Sequence, residues 1–395
     1  MNRNELVPAV RERLRRLPAP YEAHYGVLPL PPSEAAIAIG TARASHHRAT
    51  EMLGKVDAIA AELHDPYVIS RTLSRREAVS SSSIEGTNST LDELLTLEEE
   101  DVDARAEARQ VRDYALTLDR FLPRAAEIGP DIFSIELICE LHSEAMRSDP
   151  DYPDVPGVIR GTVNWIGGMG IATSTYNPPP PADVTACLSD TATYMRMEGM
   201  QAMTQSLITR IAIAHAHFEA VHPFRDGNGR VGRLLLPMMM AADGRTPLYL
   251  SPYIEANKAD YYAGLKSAQQ RLDWDPLISF LSDAITGSVE ELLATRAALK
   301  ALRQQWLTRR RFRANSAAVR MIDILVDYPV TTARRMAERL GLSMPATLTG
   351  IGQLVEAGIM HERTGHRRNR IFAASEVLAL LNRPFGSEIM LPGKA

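Results

Sequence analysis

Leu207, Ile211, Ala214, Phe218 and Val221 recur at spacings of three and four. That period predicts a helix with one apolar face. Pro223 stops it or bends the chain. From Val231 to Ala242 the chain is apolar almost all round, which predicts a buried helix, kinked or shortened at Pro237. Most of the remaining chain also carries the helical period, and no alternation is long enough for a large sheet. Two stretches depart from this. Val163, Trp165 and Ile166, flanked by Gly161, Gly167 and Gly168, favour a hairpin, and Asn177 to Pro181 should follow as a stiff extended run. Near the C-terminus, helices over Ala317–Tyr328, Thr332–Leu340 and Ser343–Ala357 precede two short strands between Ile359 and Phe372, around Gly365. Gly341 and Gly358 suit the helix ends, and Ser343 suits a cap. Thr90-Leu91-Asp92-Glu93 has the form of a capping box.

At 395 residues the chain should hold two or three domains with a sizeable core. Residues 1–115 read as an N-terminal helical domain with a proline-bearing start, and 116–290 as the part carrying the hairpin and the His222 loop. Residues 291–314 read as a basic connecting helix, and 315–395 as a small α+β domain. The hydrophobic fraction is 45% and the net charge −4, which argues against a whole-chain nucleic-acid or membrane binder. No apolar run reaches membrane-span length. Met1–Pro18 is charged and lacks a signal-peptide core, so a cytoplasmic protein with reduced Cys139 and Cys187 is expected. The acidic run Glu98–Asp103 reads as a solvated helix face. Residues 296–313 carry Arg and Lys, no acid, and interleaved Trp306 and Phe312. They read as an amphipathic helix with solvated arginines, nucleic-acid contact being the alternative.

The densest chemistry lies in His222-Pro-Phe-Arg-Asp-Gly-Asn-Gly-Arg-Val-Gly-Arg233. Gly227 and Gly229 let backbone N–H groups approach an anion where a helix begins. Asp226 is suited to a divalent cation held through one carboxylate and substrate phosphates. Arg230 and Arg233 share a helix face and can grip phosphate oxygens. His222 is placed to take a proton from a hydroxyl. His215 and His217 read as packed side chains rather than metal ligands.

This stretch resembles the Fic-family signature His-x-Phe-x-(Asp/Glu)-Gly-Asn-Gly-Arg-x-x-Arg at every fixed position. The resemblance implies a mainly α protein with a Fic-type helical core and a small β-hairpin flap. It implies transfer of AMP from ATP to a Ser, Thr or Tyr hydroxyl of a protein target. His222 would be the general base and Asp226 the Mg²⁺ ligand. Asn228 and the amides around Gly227 and Gly229 would form the anion cradle, with Arg230 on the phosphates and Arg233 on the γ-phosphate. Ser81-Ser-Ser-Ile-Glu85-Gly86 is similar to the family's inhibitory pattern, in which Glu85 would pair with Arg233 and Gly86 would end the helix. Some relatives of this kind also remove AMP. Val163, Asn164, Trp165 and Ile166 look like the target-docking flap, and Tyr262 is an adenine-contact candidate.

Residues 315–395 resemble a winged-helix (α+β) domain. Arg363, His366, Arg367, Arg368 and Arg370 load its wing with charge suited to a phosphate backbone. DNA or protein contact both stay open, as does a homodimer. The alternatives to adenylyl transfer are a DNA-binding regulator with a nucleotide-sensing core, and another phosphate-group transferase of the kinase type.

Overall fold

The computed structural model describes residues 1–61, 71–99, 105–365 and 369–391. Helix dominates only after the proline-bearing start, as expected. Prolines at 18, 20, 29, 31 and 32 deny that start a continuous helix. The start forms instead the short antiparallel pair Leu14–Arg16 and Tyr25–Val27, with Leu14 opposite Val27. Leu6, Val10 and Val27 bury a small apolar cluster with Tyr176 and Ala220. This segment therefore braces the end of the flap and the helix before His222.

Among the described residues up to 309, ten helices of nine or more residues follow: Arg43–Ala61, Arg71–Ile84, Leu91–Glu99, Ala106–Ile128, Ile135–Ala145, Val184–Met195, Leu207–Val221, Asn228–Ala242, Lys258–Arg271 and Asp275–Arg309. Ala49, Leu53, Ala78, Tyr114, Phe121, Phe218, Leu234 and Leu281 belong to one apolar core. Helices before and after residue 115 share that core, and Ala106–Ile128 runs straight through the expected boundary. The Ser81 segment is thus packed into the same body as the His222 loop. Helix Asn228–Ala242 continues through Pro237 unshortened, because packing of a helix buried at every position but Gly229 offsets the one hydrogen bond that proline removes.

Asp275–Arg309 is a single 35-residue helix across the expected 290/291 boundary. Its last turns enter a second core with Trp306, Met321, Leu354, Phe372 and Leu381, which also takes in Leu91 and Leu95. In the basic stretch Arg296, Lys300, Arg311 and Arg313 are exposed, as expected of a solvated face, and three others are ion-paired. Arg303 binds Asp323, Arg309 binds Glu376, and Arg310 binds Glu356.

The C-terminal part holds helices Ala317–Ile324, Ala333–Leu340 and Met344–Glu356. Its sheet has the order Val330–Thr332, Ile371–Ala373, His361–Glu362, all antiparallel. The first strand was not expected, being three residues long. Ser343 accepts from the Ala346 amide as the expected cap. Arg363 is a bidentate partner of Asp92 at 2.6 and 2.7 Å, and Arg370 binds Glu362 at 3.1 Å. His366, Arg367 and Arg368 lie outside the described residues. So does 100–103 of the acidic run, whose Glu98 and Glu99 are not solvated: they are buried against Arg71, Arg75 and Arg339. Cys139 and Cys187 are both free thiols. Among the described residues, no helix is long and apolar enough to cross a membrane.

Candidate active site

Helix Leu207–Val221 is capped by Ser206 at its start and ends on His222, which adopts the left-handed conformation at φ 49°, ψ 61°. Gly227, also left-handed at φ 75°, then opens helix Asn228–Ala242. A Cβ on Gly227 would lie 2.6 Å from the Met146 sulfur, so both the conformation and the space require glycine. The loop between these helices is closed by Asn228. Its Oδ1 accepts from the Phe224 amide and its Nδ2 donates to the Phe224 carbonyl, each at 2.8 Å. The buried amide shapes the cradle, and the backbone N–H groups of the helix start are left for an anion.

His142 holds the loop from the other side. Its ring stacks on Phe224 with centroids 3.8 Å apart. Nδ1 accepts from the Gly157 amide at 2.7 Å, and Nε2 lies 3.0 Å from the Asp226 carbonyl oxygen. Burial pushes this imidazole down to about 4, with a further push from Arg230, so it donates as the neutral ring. Nothing near His142 in the sequence signals this role.

Arg233 is fully buried. Its Nε donates to Ser81 Oγ at 2.9 Å, and its Nη2 donates to the Ser81 carbonyl at 2.9 Å and to Glu85 Oε1 at 2.6 Å. Burial alone would raise the Glu85 carboxyl. The Arg233 guanidinium, with Arg230 and His222, brings it below its ordinary value. Helix Arg71–Ile84 ends just before Glu85, and Gly86 turns the chain as expected. The Glu85 carboxylate then lies over Gly229. A Cβ there would be 2.2 Å from Glu85 Oε1. An internal carboxylate therefore sits against the start of helix Asn228–Ala242, where an anionic ligand is favoured.

Arg230 is 3% exposed. Its Nη2 reaches Asp149 at 3.4 Å, and its Nε and Nη1 are buried without a partner among the described residues. Unpaired buried donors on a cation are costly unless a ligand takes them. Asp226 is exposed, with Oδ1 accepting from the Gly227 amide at 2.7 Å. Its second oxygen is available for a hard cation. His222 is pushed down to about 4 by burial, then by Arg160, so its ring is neutral at ordinary pH. His215 and His217 are buried and packed as expected, on Tyr261 and Thr191.

The flap is looser than a two-stranded hairpin. One bridge joins Ile166 to Tyr176. Asn164 donates to the carbonyls of Phe224 and Arg225 at 3.2 and 3.1 Å, and Trp165 packs beside Tyr21. Val163 is half-buried. Tyr262 is 49% exposed, and the Glu85 charge adds to the upward shift of its hydroxyl that burial causes.

A left-handed histidine, the start of helix Asn228–Ala242 and two buried arginines meet at one site, where the Glu85 carboxylate pairs with Arg233. The residues that build this site lie in regions similar to the Fic/DOC family. The model of the Fic/DOC family N-terminal region matches residues 44–120, and that of the Fic/DOC family matches 132–240. Protein adenylyltransferase fic-1 of Caenorhabditis elegans is 32% identical over 163 residues, 41% of this chain and 29% of that protein. A probable protein adenylyltransferase of Aquifex aeolicus is 32% identical over 102 residues, 26% of this chain and 29% of that protein. The chain spans less than a third of the length of these curated relatives. In fold it is similar to a Fic family protein from Desulfovibrio desulfuricans G20, with TM-score 0.54 at 19% identity over 87% of this chain and 98% of that one. It is also similar to Fic-1 (aa134–508) from C. elegans, with TM-score 0.51 at 23% identity, covering 66% and 74%.

Proposed function

We propose that this protein is a self-inhibited adenylyltransferase that moves AMP from ATP to a Ser, Thr or Tyr hydroxyl of a protein target. The observation that carries it is the Arg233–Glu85 pair at the anion-binding helix start, beside an Arg230 with two vacant buried donors. The names of the matched relatives support the same reading.

The phosphates of ATP suit the N–H groups around Gly227 to Gly229 and the Arg230 guanidinium. His222, neutral and at the loop's rim, takes the proton of the target hydroxyl as that oxygen bonds to the α-phosphorus. The bond from the α-phosphorus to the bridging oxygen breaks, and pyrophosphate leaves. Asp226 would hold Mg²⁺, which would supply neutralisation of phosphate charge. Single-carboxylate ligation fits Asp226, whose outer oxygen is not engaged. Glu85 on Arg233 denies the γ-phosphate its cation, and that is the inhibition. The flap offers its backbone to a target segment and leaves side-chain choice loose. Removal of AMP is a second reading. The Glu85 side chain stays 30% exposed, so a water has access to its carboxylate.

We read the C-terminal part as a winged-helix-like domain that faces protein rather than DNA. Helix Met344–Glu356 contains no Lys or Arg, and it exposes Met344, Leu348 and Val355. Arg363 and Arg370 are engaged by Asp92 and Glu362. A phosphate backbone needs free cations.

The test is label transfer by the Glu85→Gly variant. Label from α-³²P-ATP but not from γ-³²P-ATP should enter protein. The reverse would make the enzyme a kinase, and neither label would end the transferase reading.

A further inference from the structure

Arg160 takes no part in the chemistry above, yet it is the most heavily bonded side chain beside it. It is 3% exposed. Nε donates to the His222 carbonyl at 2.7 Å. Nη1 donates to Thr162 O at 2.8 Å, and Nη2 to Pro179 O at 2.9 Å and Val221 O at 3.3 Å. Its own amide donates to Pro223 O at 2.9 Å. No carboxylate pairs with it among the described residues. A buried guanidinium without a counter-charge is costly. Here four carbonyl dipoles supply what a carboxylate otherwise would. Burial still brings this guanidinium down to about 10.

The four acceptors fall into two groups. Val221 and His222 present carbonyls at the end of a helix, which have no intrahelical partner and carry the negative end of the dipole. Thr162 and Pro179 stand at the two roots of the flap. One planar fork therefore ties the flap to the residue holding the catalytic imidazole. His222 sits at φ 49°, a conformation unfavourable for a non-glycine residue that persists only where its surroundings enforce it. A bond to its own carbonyl is such enforcement.

We propose that Arg160 is a positioning residue that locks the His222 base and the target-docking flap into one unit. The same guanidinium then sets where the proton acceptor sits and where the incoming hydroxyl is presented. Arg160 touches neither Arg230, Arg233 nor the Gly227–Gly229 cradle, so the ATP site is outside its reach. Lysine keeps the charge but cannot span carbonyls on opposite sides of a fork.

This rests on the adenylyltransferase reading, and the test separates the two. Auto-modification kinetics are compared for Glu85→Gly and Glu85→Gly/Arg160→Lys, with hydrogen–deuterium exchange on both. The expected result is a fall in kcat of about ten- to a hundred-fold with KM for ATP within about two-fold. Deuterium uptake should rise over 161–166 and 222–226 while helix Leu207–Val221 stays protected. A kcat within two-fold and unchanged uptake at these segments would overturn the proposal, as would equal changes in kcat and KM with uptake raised across the whole core. If the Glu85→Gly parent incorporates no AMP, the transferase reading falls and the exchange arm alone decides the role of Arg160. A measurement on the unmutated chain stands beside these. In exchange under increasing sub-denaturing urea, the Ile166 and Phe224 amides, which donate to the Tyr176 carbonyl and to Asn228 Oδ1, should open with one common denaturant dependence. Independent opening of the two would contradict the clamp.

Discussion

The Glu85 carboxylate lies 2.6 Å from the Arg233 guanidinium although 147 residues separate them in the chain. Ser81, one helical turn before Glu85, binds the same guanidinium twice. The helix Arg71–Ile84 therefore presents a side-chain hydroxyl, a carbonyl and a carboxylate to one cation.

This arrangement makes Ser81 part of the inhibitory lock. Ser81→Ala removes a hydrogen bond to a charged group, worth about 1.5 kcal/mol or more, and leaves the buried Nε unpaired. Basal auto-modification should rise about ten-fold, and less than in Glu85→Gly. The readout is the initial rate of AMP incorporation in both variants.

Asn228 carries a different prediction, since its amide closes the loop rather than contacting the ligand. Asn228→Ala should lower stability by about 2 kcal/mol, seen as a lower urea midpoint. It should also reduce the rate of the Glu85→Gly background by more than its effect on ATP affinity. A variant that weakens ATP binding alone would give the Asn228 side chain a direct ligand contact instead.

The pH profile tests the state of His222. Burial and Arg160 hold its pKa at about 4, against about 6.5 for an ordinary imidazole. The rate of the Glu85→Gly variant should stay level from pH 8 down to about 5 and fall only near 4. A limb near 6.5 would show that the imidazole is solvated in the released enzyme.

Stability should also follow the buried titratable groups. His215 and His217 are brought down to about 3 by burial. Between pH 6.5 and 3 the unfolded chain binds protons there that the folded chain does not, so stability falls as pH falls through this window. Glu219 is pushed up to about 7 by burial. Its contribution is complete below its unfolded value near 4.5 and is lost as pH rises through 7. His217→Gln should flatten the acid slope of the urea midpoint, and Glu219→Gln the neutral one.

The sequence made the centre of the site legible because its chemistry is local. His222, Asp226, Arg230 and Arg233 fall in twelve residues, and glycine and proline mark where helices end around them. The capping box at Thr90–Glu93 formed as read, with reciprocal bonds of 3.0 and 3.1 Å. Groups recruited through tertiary packing were not legible. His142 and Arg160 reach the loop from other elements and carry no local signature. The N-terminal strands are three residues each, too short for a period to register. Leu91 and Leu95 look like any helical apolar pair, and only the fold assigns them to the C-terminal core. The acidic run misled because composition does not reveal partners: Glu98 and Glu99 find opposite charges across elements, as do Arg303 and Arg309 within the otherwise exposed basic stretch.

The central claim is that Glu85 restrains an adenylyl transfer for which His222 is the base. Intact mass after incubation with ATP and Mg²⁺ tests it most directly, on the wild type, Glu85→Gly and Glu85→Gly/His222→Ala. One added AMP in Glu85→Gly, with little in the wild type and none in the double variant, is the expected result. Equal labelling of wild type and Glu85→Gly, or AMP addition that survives loss of His222, would contradict it.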